Sequence, residues 1–254
     1  MRLPCLLAAI LTLAWGTGAG AADRSLDDIV AQAQRSRQVD NSIQRVRMVL
    51  VSKTGGERVR EFELRIRRDG DIVQSWTRFS QPSDVAGTQL VLVDRPDTAD
   101  EQLLYLPALK RVTRIAGKAR KGAFMGSDFS FEDLEVSAAA TATHTLAQET
   151  DRVWIVDSVP AGDSSYGRLR TTIRKADELP EQIEFFDTAG APIKVLRITE
   201  TARDGDVLLP IRSEMTDLKR GTSTRLEVLE HRLNVPPAEI PPETFTAAFM
   251  ERNG

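Results

Sequence analysis

Apolar residues recur at every second position over much of this chain. Val46, Met48 and Leu50 alternate with Arg45, Arg47 and Val49, and Phe62, Leu64 and Ile66 alternate with Glu61, Glu63, Arg65 and Arg67. A period of two sends successive side chains to opposite faces of a strand, so each run predicts one apolar and one charged face. Gly55-Gly56 and Asp69-Gly70 supply hairpin turns, and a third strand follows over 71–79. Further strands are predicted over 88–93, 103–106, 111–115, 153–158, 168–175, 182–186, 193–200, 208–217 and 222–234. Turn signals stand between them at Gly162-Asp163, Ala189-Gly190, Asp204-Gly205 and Gly221. This many short strands at such spacing predict a mainly β protein, a sandwich or a barrel.

Helical spacing shows at the two ends. Ser25 with Asp28 three residues on makes a capping-box-like start, and Leu26, Ile29, Val30 and Ala33 then form one apolar stripe. This helix is predicted to end near Gln38, before the turn residues Asp40-Asn41-Ser42. Pro236-Pro237 and Pro241-Pro242 rule out a central strand in the tail. Phe245 and Phe249, four apart, predict a short amphipathic helix that docks across the sheet. With no internal repeat and no long linker, residues 22–254 read as one domain.

Composition narrows the setting. Met1-Arg2, the apolar run Leu3 to Trp15 and the small residues Ala19-Gly20-Ala21 read as a secretory signal peptide over 1–21, cleaved before Ala22. The apolar run is shorter than the roughly 20 residues a bilayer span needs. The single cysteine, Cys5, falls within it, so the mature chain would have no disulfide, thiolate nucleophile or lipidated cysteine. A periplasmic location follows. The net charge of −3, one more negative without Arg2, argues against a nucleic-acid partner.

Common catalytic patterns are missing. His144 and His231 lie far apart with no second ligand at metal spacing, so no metal or other cofactor is expected. Gly126-Ser127-Asp128 comes nearest to a nucleophile elbow but lacks the second glycine. Neither a Walker-type nor a Rossmann-type glycine pattern occurs. The chain therefore reads as a non-enzyme. A hydrolase of lipids or envelope polymers stays open through Asp128 or Glu132, should either pair with a serine in a cleft.

Residues 79 to 134 differ from the rest. Phe124, Met125, Phe129 and Phe131 sit in a glycine-flanked segment without periodicity. They suit an adaptable surface that accepts varied apolar guests, or equally a plug in one end of a barrel. Before them runs a basic stretch, Lys110, Arg111, Arg114, Lys118, Arg120 and Lys121. It reads either as a solvated hairpin or as a contact for anionic head groups or an acidic partner.

The order Phe79-x-x-Pro82, Gly87-Thr88, Tyr105 to Val112, then Phe124 to Leu134 resembles the LolA-like outer-membrane lipoprotein-sorting proteins. A weaker likeness runs through Pro180 to Asp187, Pro210 to Met215 and Phe245. The resemblance implies a half-open antiparallel β-barrel closed by a few short helices, around an apolar cavity for acyl chains. It implies a soluble monomeric shuttle that carries lipid, or the acyl chains of a lipoprotein, to an outer-membrane acceptor, beside an RND-type inner-membrane transporter. It also implies an arginine near the cavity that matters for cargo uptake, which no single position here matches. The stretch 135–152, rich in Ala and Thr, departs from the expected aromatic content.

On this reading the cavity lining comprises Leu64, Ile66, Trp76, Leu90, Leu92, Leu104, Leu106, Ile183, Phe185 and Leu196, with Phe124, Met125, Phe129 and Phe131 from the segment. The six basic residues would form a head-group or partner docking surface. A 16-carbon chain represents about 12 kcal/mol of transfer free energy at roughly 0.8 per CH₂, which a carrier cavity must largely recover. A core filled by its own side chains would instead favour an envelope interaction or sensor module of the same fold.

Overall fold

The computed structural model describes residues 25–35, 41–95, 98–135, 142–205 and 207–254. The expected signal peptide, its cleavage point and Cys5 lie outside the described residues, as do the last residues predicted for the first helix and positions 136–141. Thirteen strands form one antiparallel sheet. They are β1 (Ser42–Val51), β2 (Glu57–Asp69), β3 (Ile72–Gln81), β4 (Gln89–Arg95), β5 (Thr98–Leu106), β6 (Arg111–Arg114), β7 (Thr143–Glu149), β8 (Val153–Val159), β9 (Arg168–Arg174), β10 (Pro180–Phe186), β11 (Pro192–Asp204), β12 (Val207–Asp217) and β13 (Thr222–Arg232).

Their spatial order is β6-β5-β4-β3-β2-β1-β13-β12-β11-β10-β9-β8-β7. Two meanders thus run outward from the β1–β13 pair, and the sheet curls into a half-open barrel with β6 and β7 as its outermost strands among the described residues. Strand β7 escapes prediction because it has almost no buried face. The register shows why the alternating runs fold this way: Val46 pairs with Phe62, Phe62 with Phe79, Thr77 with Leu90 and Leu90 with Leu104. On the other wing Met215 pairs with Leu196 and Leu196 with Ile183. These positions share the concave face and make its core.

Helix α1 (Leu26–Arg35) lies against the β8–β9 end of that face, burying Ile29, Val30 and Ala33 with Val156 and Ile173. Its start is capped as the sequence predicts. The Asp28 N–H donates to Ser25 Oγ at 3.1 Å, and that hydroxyl donates back to an Asp28 carboxylate oxygen at 2.7 Å. Among the described residues no helix is long and apolar enough to cross a membrane.

The convex face is covered in two ways. Over β1, β2, β12 and β13 it carries ion pairs such as Arg47–Glu61 and Arg45–Glu230. Over β3, β4 and β5 it is apolar, and the tail from Val235 through helix α2 (Ala247–Arg252) straps across it. Trp76 belongs here. It stands opposite Val91 and edge-on to Phe249 at 6.0 Å, and its indole N–H donates to Gln89, whose amide donates to the Met250 carbonyl at 2.8 Å. Arg67 fixes the tail's entry by donating to the carbonyls of Pro237 and Ile240.

Ile240 is fully buried under this strap. Ile240→Ala is expected to lower unfolding free energy by about 2–4 kcal/mol in urea titrations, the range for a large-to-small change in a packed core. Leu146→Ala on exposed β7 is expected to change it by less than about 0.5 kcal/mol.

Candidate functional site

The site grows from one constraint. The concave face has no second sheet to cover it, and irregular chain from 115 to 135, which follows edge strand β6, lies in it instead. Within this plug Phe124, Phe129 and Phe131 are buried at 4–8% exposure and join the core of both wings. Phe124 contacts Phe79 and Phe131 at ring-centroid distances of 5.8 and 5.6 Å. The plug closes on itself through the Phe124 N–H to Phe129 carbonyl bond, 2.7 Å, and an Ala123–Ser130 bridge. At its tip Met125 and Gly126 both take positive φ, 49° and 69°, so the chain reverses within two residues. The sequence left open whether these aromatics line a cavity or fill one; here they fill it.

Acidic residues fasten the plug to the sheet. The Asp128 carboxylate accepts from Arg220 at 2.8 Å in the turn before β13, and from Thr222 at 2.5 Å and Thr224 at 2.7 Å at the start of β13. Asp133, its side chain 1% exposed, accepts from Lys194 at 2.9 Å and from the Tyr166 hydroxyl at 2.5 Å. Burial, and then the Asp133 charge, push the Tyr166 hydroxyl far above its ordinary pKa, so it stays a donor. Glu132 accepts from the Ser164 hydroxyl and the Ser165 N–H. Glu135 accepts from Arg120 and, at 2.6 Å, from Gln102, which also donates to the Phe131 carbonyl. The Glu132–Ser164 pair gives a serine beside a carboxylate, and both are tied into this backbone hold, Glu132 to the Ser165 N–H and Ser164 to the Tyr166 N–H. It does the work of a clamp.

Sequence reasoning missed Arg60. It shares the inward register of Phe62 and Leu64 on β2, and its guanidinium donates to the Met125 carbonyl at the plug tip. Burial pulls its pKa below the usual arginine value. The signal was an arginine in step with apolar neighbours. Lys194, two residues before Leu196 on β11, was missed for the same reason.

Of the anticipated lining, Leu64, Leu90, Leu92, Leu104, Ile183, Phe185 and Leu196 meet in the core around the plug, together with Met125. Leu106 keeps the inward register but lies half-exposed at the sheet's edge. Trp76 is a correction: its register sends it to the convex face, under the tail. Ile66 and Leu92 border a residual cavity of about 40 Å³ with Asp94, Asp100 and Glu135, against roughly 300–1,000 Å³ for ligand pockets. Of the basic run, Lys110, Arg111, Arg114 and Lys118 face solvent around the free edge, while Arg120 pairs with Glu135 and Lys121 with Asp163. His144 meets Ser158 at 2.8 Å and His231 meets Asp204 at 3.4 Å. Among the described residues no group of acidic, histidine or cysteine side chains is placed to hold a metal.

The residual cavity concentrates carboxyl groups. Burial raises the pKa of Asp94, against a hydrogen bond with Asp100 and the charge of Arg68. Burial likewise raises Glu135, against its bonds with Arg120. The folded protein thus binds these protons more tightly than the unfolded chain. The stabilisation is full below the ordinary carboxylate range and is lost as pH rises through the raised values. Asp94→Asn is expected to raise Tm by roughly 1–3 °C at pH 7.5, a gain of under about 1 kcal/mol for a domain this size. Scanning fluorimetry at pH 4 should show that gain shrink towards zero.

A family model described only as uncharacterized-protein-like matches residues 72–252, more than two thirds of the chain. No curated protein matches the chain in sequence. Among solved structures, a domain from Vibrio parahaemolyticus, described as an outer membrane lipoprotein-sorting protein, aligns with a TM-score of 0.80 at 27% identity, over 89% of this chain and 98% of that one. A DUF1329 family protein from Desulfovibrio piger aligns with a TM-score of 0.79 at 20% identity, over 88% and 97%. A LolA superfamily protein from Nitrosomonas europaea aligns with a TM-score of 0.70 at 15% identity, over 89% and 99%. The chain belongs to the family of the model that matches residues 72–252, and with the half-open sheet, the inward apolar register and the segment from Phe124 to Leu134 all in place it shares its fold with solved structures described as an outer membrane lipoprotein-sorting protein and a LolA superfamily protein.

Proposed function

We propose that this protein is a periplasmic carrier that binds acyl chains on the concave face of the half-barrel and shuttles them towards the outer membrane. The observation that carries it is the cover over that face. It is an irregular segment with few backbone hydrogen bonds to the sheet, although the face beneath is as apolar as a core. Loading is then an exchange, in which acyl chain replaces Phe124, Phe129 and Phe131. Arg60, holding the Met125 carbonyl, is the residue that keeps the tip seated until cargo arrives, and it is our candidate for the uptake arginine. The exposed cations Lys110, Arg111, Arg114 and Lys118 would dock a partner, for which an RND-type transporter or an outer-membrane acceptor is the proposed class.

One observation favours a second reading. The concavity is filled in this structure, as an interaction or sensor module with a closed core would have it. Substitutions in the plug separate the two. Phe124→Ala with Phe129→Ala removes filler from the face, and each change should destabilise by about 3–5 kcal/mol if the site does not collapse. A carrier so altered is expected to bind a fluorescent fatty acid at least 5-fold more tightly than the unaltered protein. A closed module would lose stability and gain no binding. Lipid extraction and mass spectrometry of protein purified without detergent should return a stoichiometric lipid, and its absence from both the protein and the probe assay would remove the carrier reading.

A further inference from the structure

We propose that the plug is an internal stand-in for the cargo, and that the cargo is an anionic amphiphile whose head group replaces the Asp133 carboxylate on Lys194 and Tyr166. This rests on the carrier reading above and names the chemical class it would carry.

The case begins with the pair itself. Lys194 and Asp133 are 14% and 1% exposed in their side chains, and their charged atoms meet at 2.9 Å. Lys194 belongs to the sheet, opposite Phe185 in the inward register; Asp133 belongs to the plug. The Tyr166 hydroxyl, 3.0 Å from the Lys194 ammonium, points at the same carboxylate. When the plug leaves, an ammonium and a phenol donor therefore lose one shared acceptor together. A buried cation without a counter-charge is strongly disfavoured, so an incoming molecule with a neutral head cannot complete the exchange on equal terms. One with a phosphate or carboxylate can.

Two further contacts repeat that division. The sheet side donates and the plug accepts where Arg60 meets the Met125 carbonyl and where Arg220, Thr222 and Thr224 meet the Asp128 carboxylate, although the Asp128 N–H also donates to Thr224 Oγ1. Between these polar ends lie the buried rings of Phe124, Phe129 and Phe131. Negative ends joined by apolar matter describe an acidic lipid. Arg220 is half-exposed and also holds Asp217 at 2.8 Å, so it can do without Asp128. Among the described residues Lys194 forms an ion pair with Asp133 alone, which makes it the discriminating residue.

The test compares two lipids with the same tail. The purified protein would be titrated calorimetrically with 16-carbon lysophosphatidylglycerol and with 16-carbon lysophosphatidylcholine, each below its micelle concentration. At least 10-fold tighter binding of the anionic lipid is expected. Lys194→Met should reduce the preference to within 2-fold, and Lys194→Arg should keep it. Asp133→Asn, which leaves Lys194 without its counter-charge in the empty protein, should tighten binding of the anionic lipid by several-fold. Circular dichroism checks that the variants fold, and the preference of the unaltered protein decides the matter even if Lys194→Met does not. Equal affinity for the two lipids would overturn this inference and leave the carrier standing; binding of neither would overturn both.

Discussion

The concave apolar face is the constraint from which the rest follows. A sandwich hides the inner face of one sheet against that of another, but here thirteen strands stand in a single row. Their inward residues, from Val46 and Phe62 on one wing to Leu196 and Met215 on the other, have no partner sheet. Fully burying a large apolar side chain is worth roughly 1.5–3 kcal/mol, so a bare face of this extent would not stay in water. Among the described residues two pieces of chain cover it. Helix α1 takes the β8–β9 end, and the segment after β6 takes the middle.

Apolar contact alone does not fix an irregular segment in place. Strands get their register from a ladder of backbone bonds, and the plug makes few of these. Its position is set by four acidic side chains instead, each answered by a donor on the far side of a chain boundary: Asp128 on β13, Glu132 on the β8–β9 loop, Asp133 on β11 and Glu135 on β5. Such bonds are directional, and leaving one half unpaired is costly. They locate the plug sharply.

Much of this was readable in the alternation of apolar and charged residues. The strand runs, the turns at Gly55-Gly56 and Asp69-Gly70, the capped helix after Ser25 and the docking tail appear where the pattern puts them. Which face each residue takes was harder. A period of two says that Trp76 and Phe79 oppose each other, but not which points inward; pairing of Phe79 with Phe62 and of Trp76 with Val91 decides it. Strand β7 was unreadable because an exposed edge needs no apolar alternation. Arg60 and Lys194 were passed over because strand patterns are scanned for the apolar members of a register. The charged exceptions in that register are the ones with a partner to find. The basic run from Lys110 to Lys121 looked uniform and is not, since Arg120 and Lys121 are spent on Glu135 and Asp163.

A filled resting state is what the energetics of a carrier call for. A cavity large enough for an acyl chain would be unstable if kept empty: apolar, it would hold water poorly, and its walls would lose their packing. Filling it with the protein's own aromatics removes that cost and sets the affinity by a difference. On the proposed carrier reading, cargo would gain its burial and the plug would lose its own, so the balance would stay near enough to zero for the cargo to be released again. The same reasoning applies to charge. On that reading a site that is neutral when closed by Asp133 would also have to be neutral when opened by cargo, and the half-buried Lys194 would set a rule about what can enter.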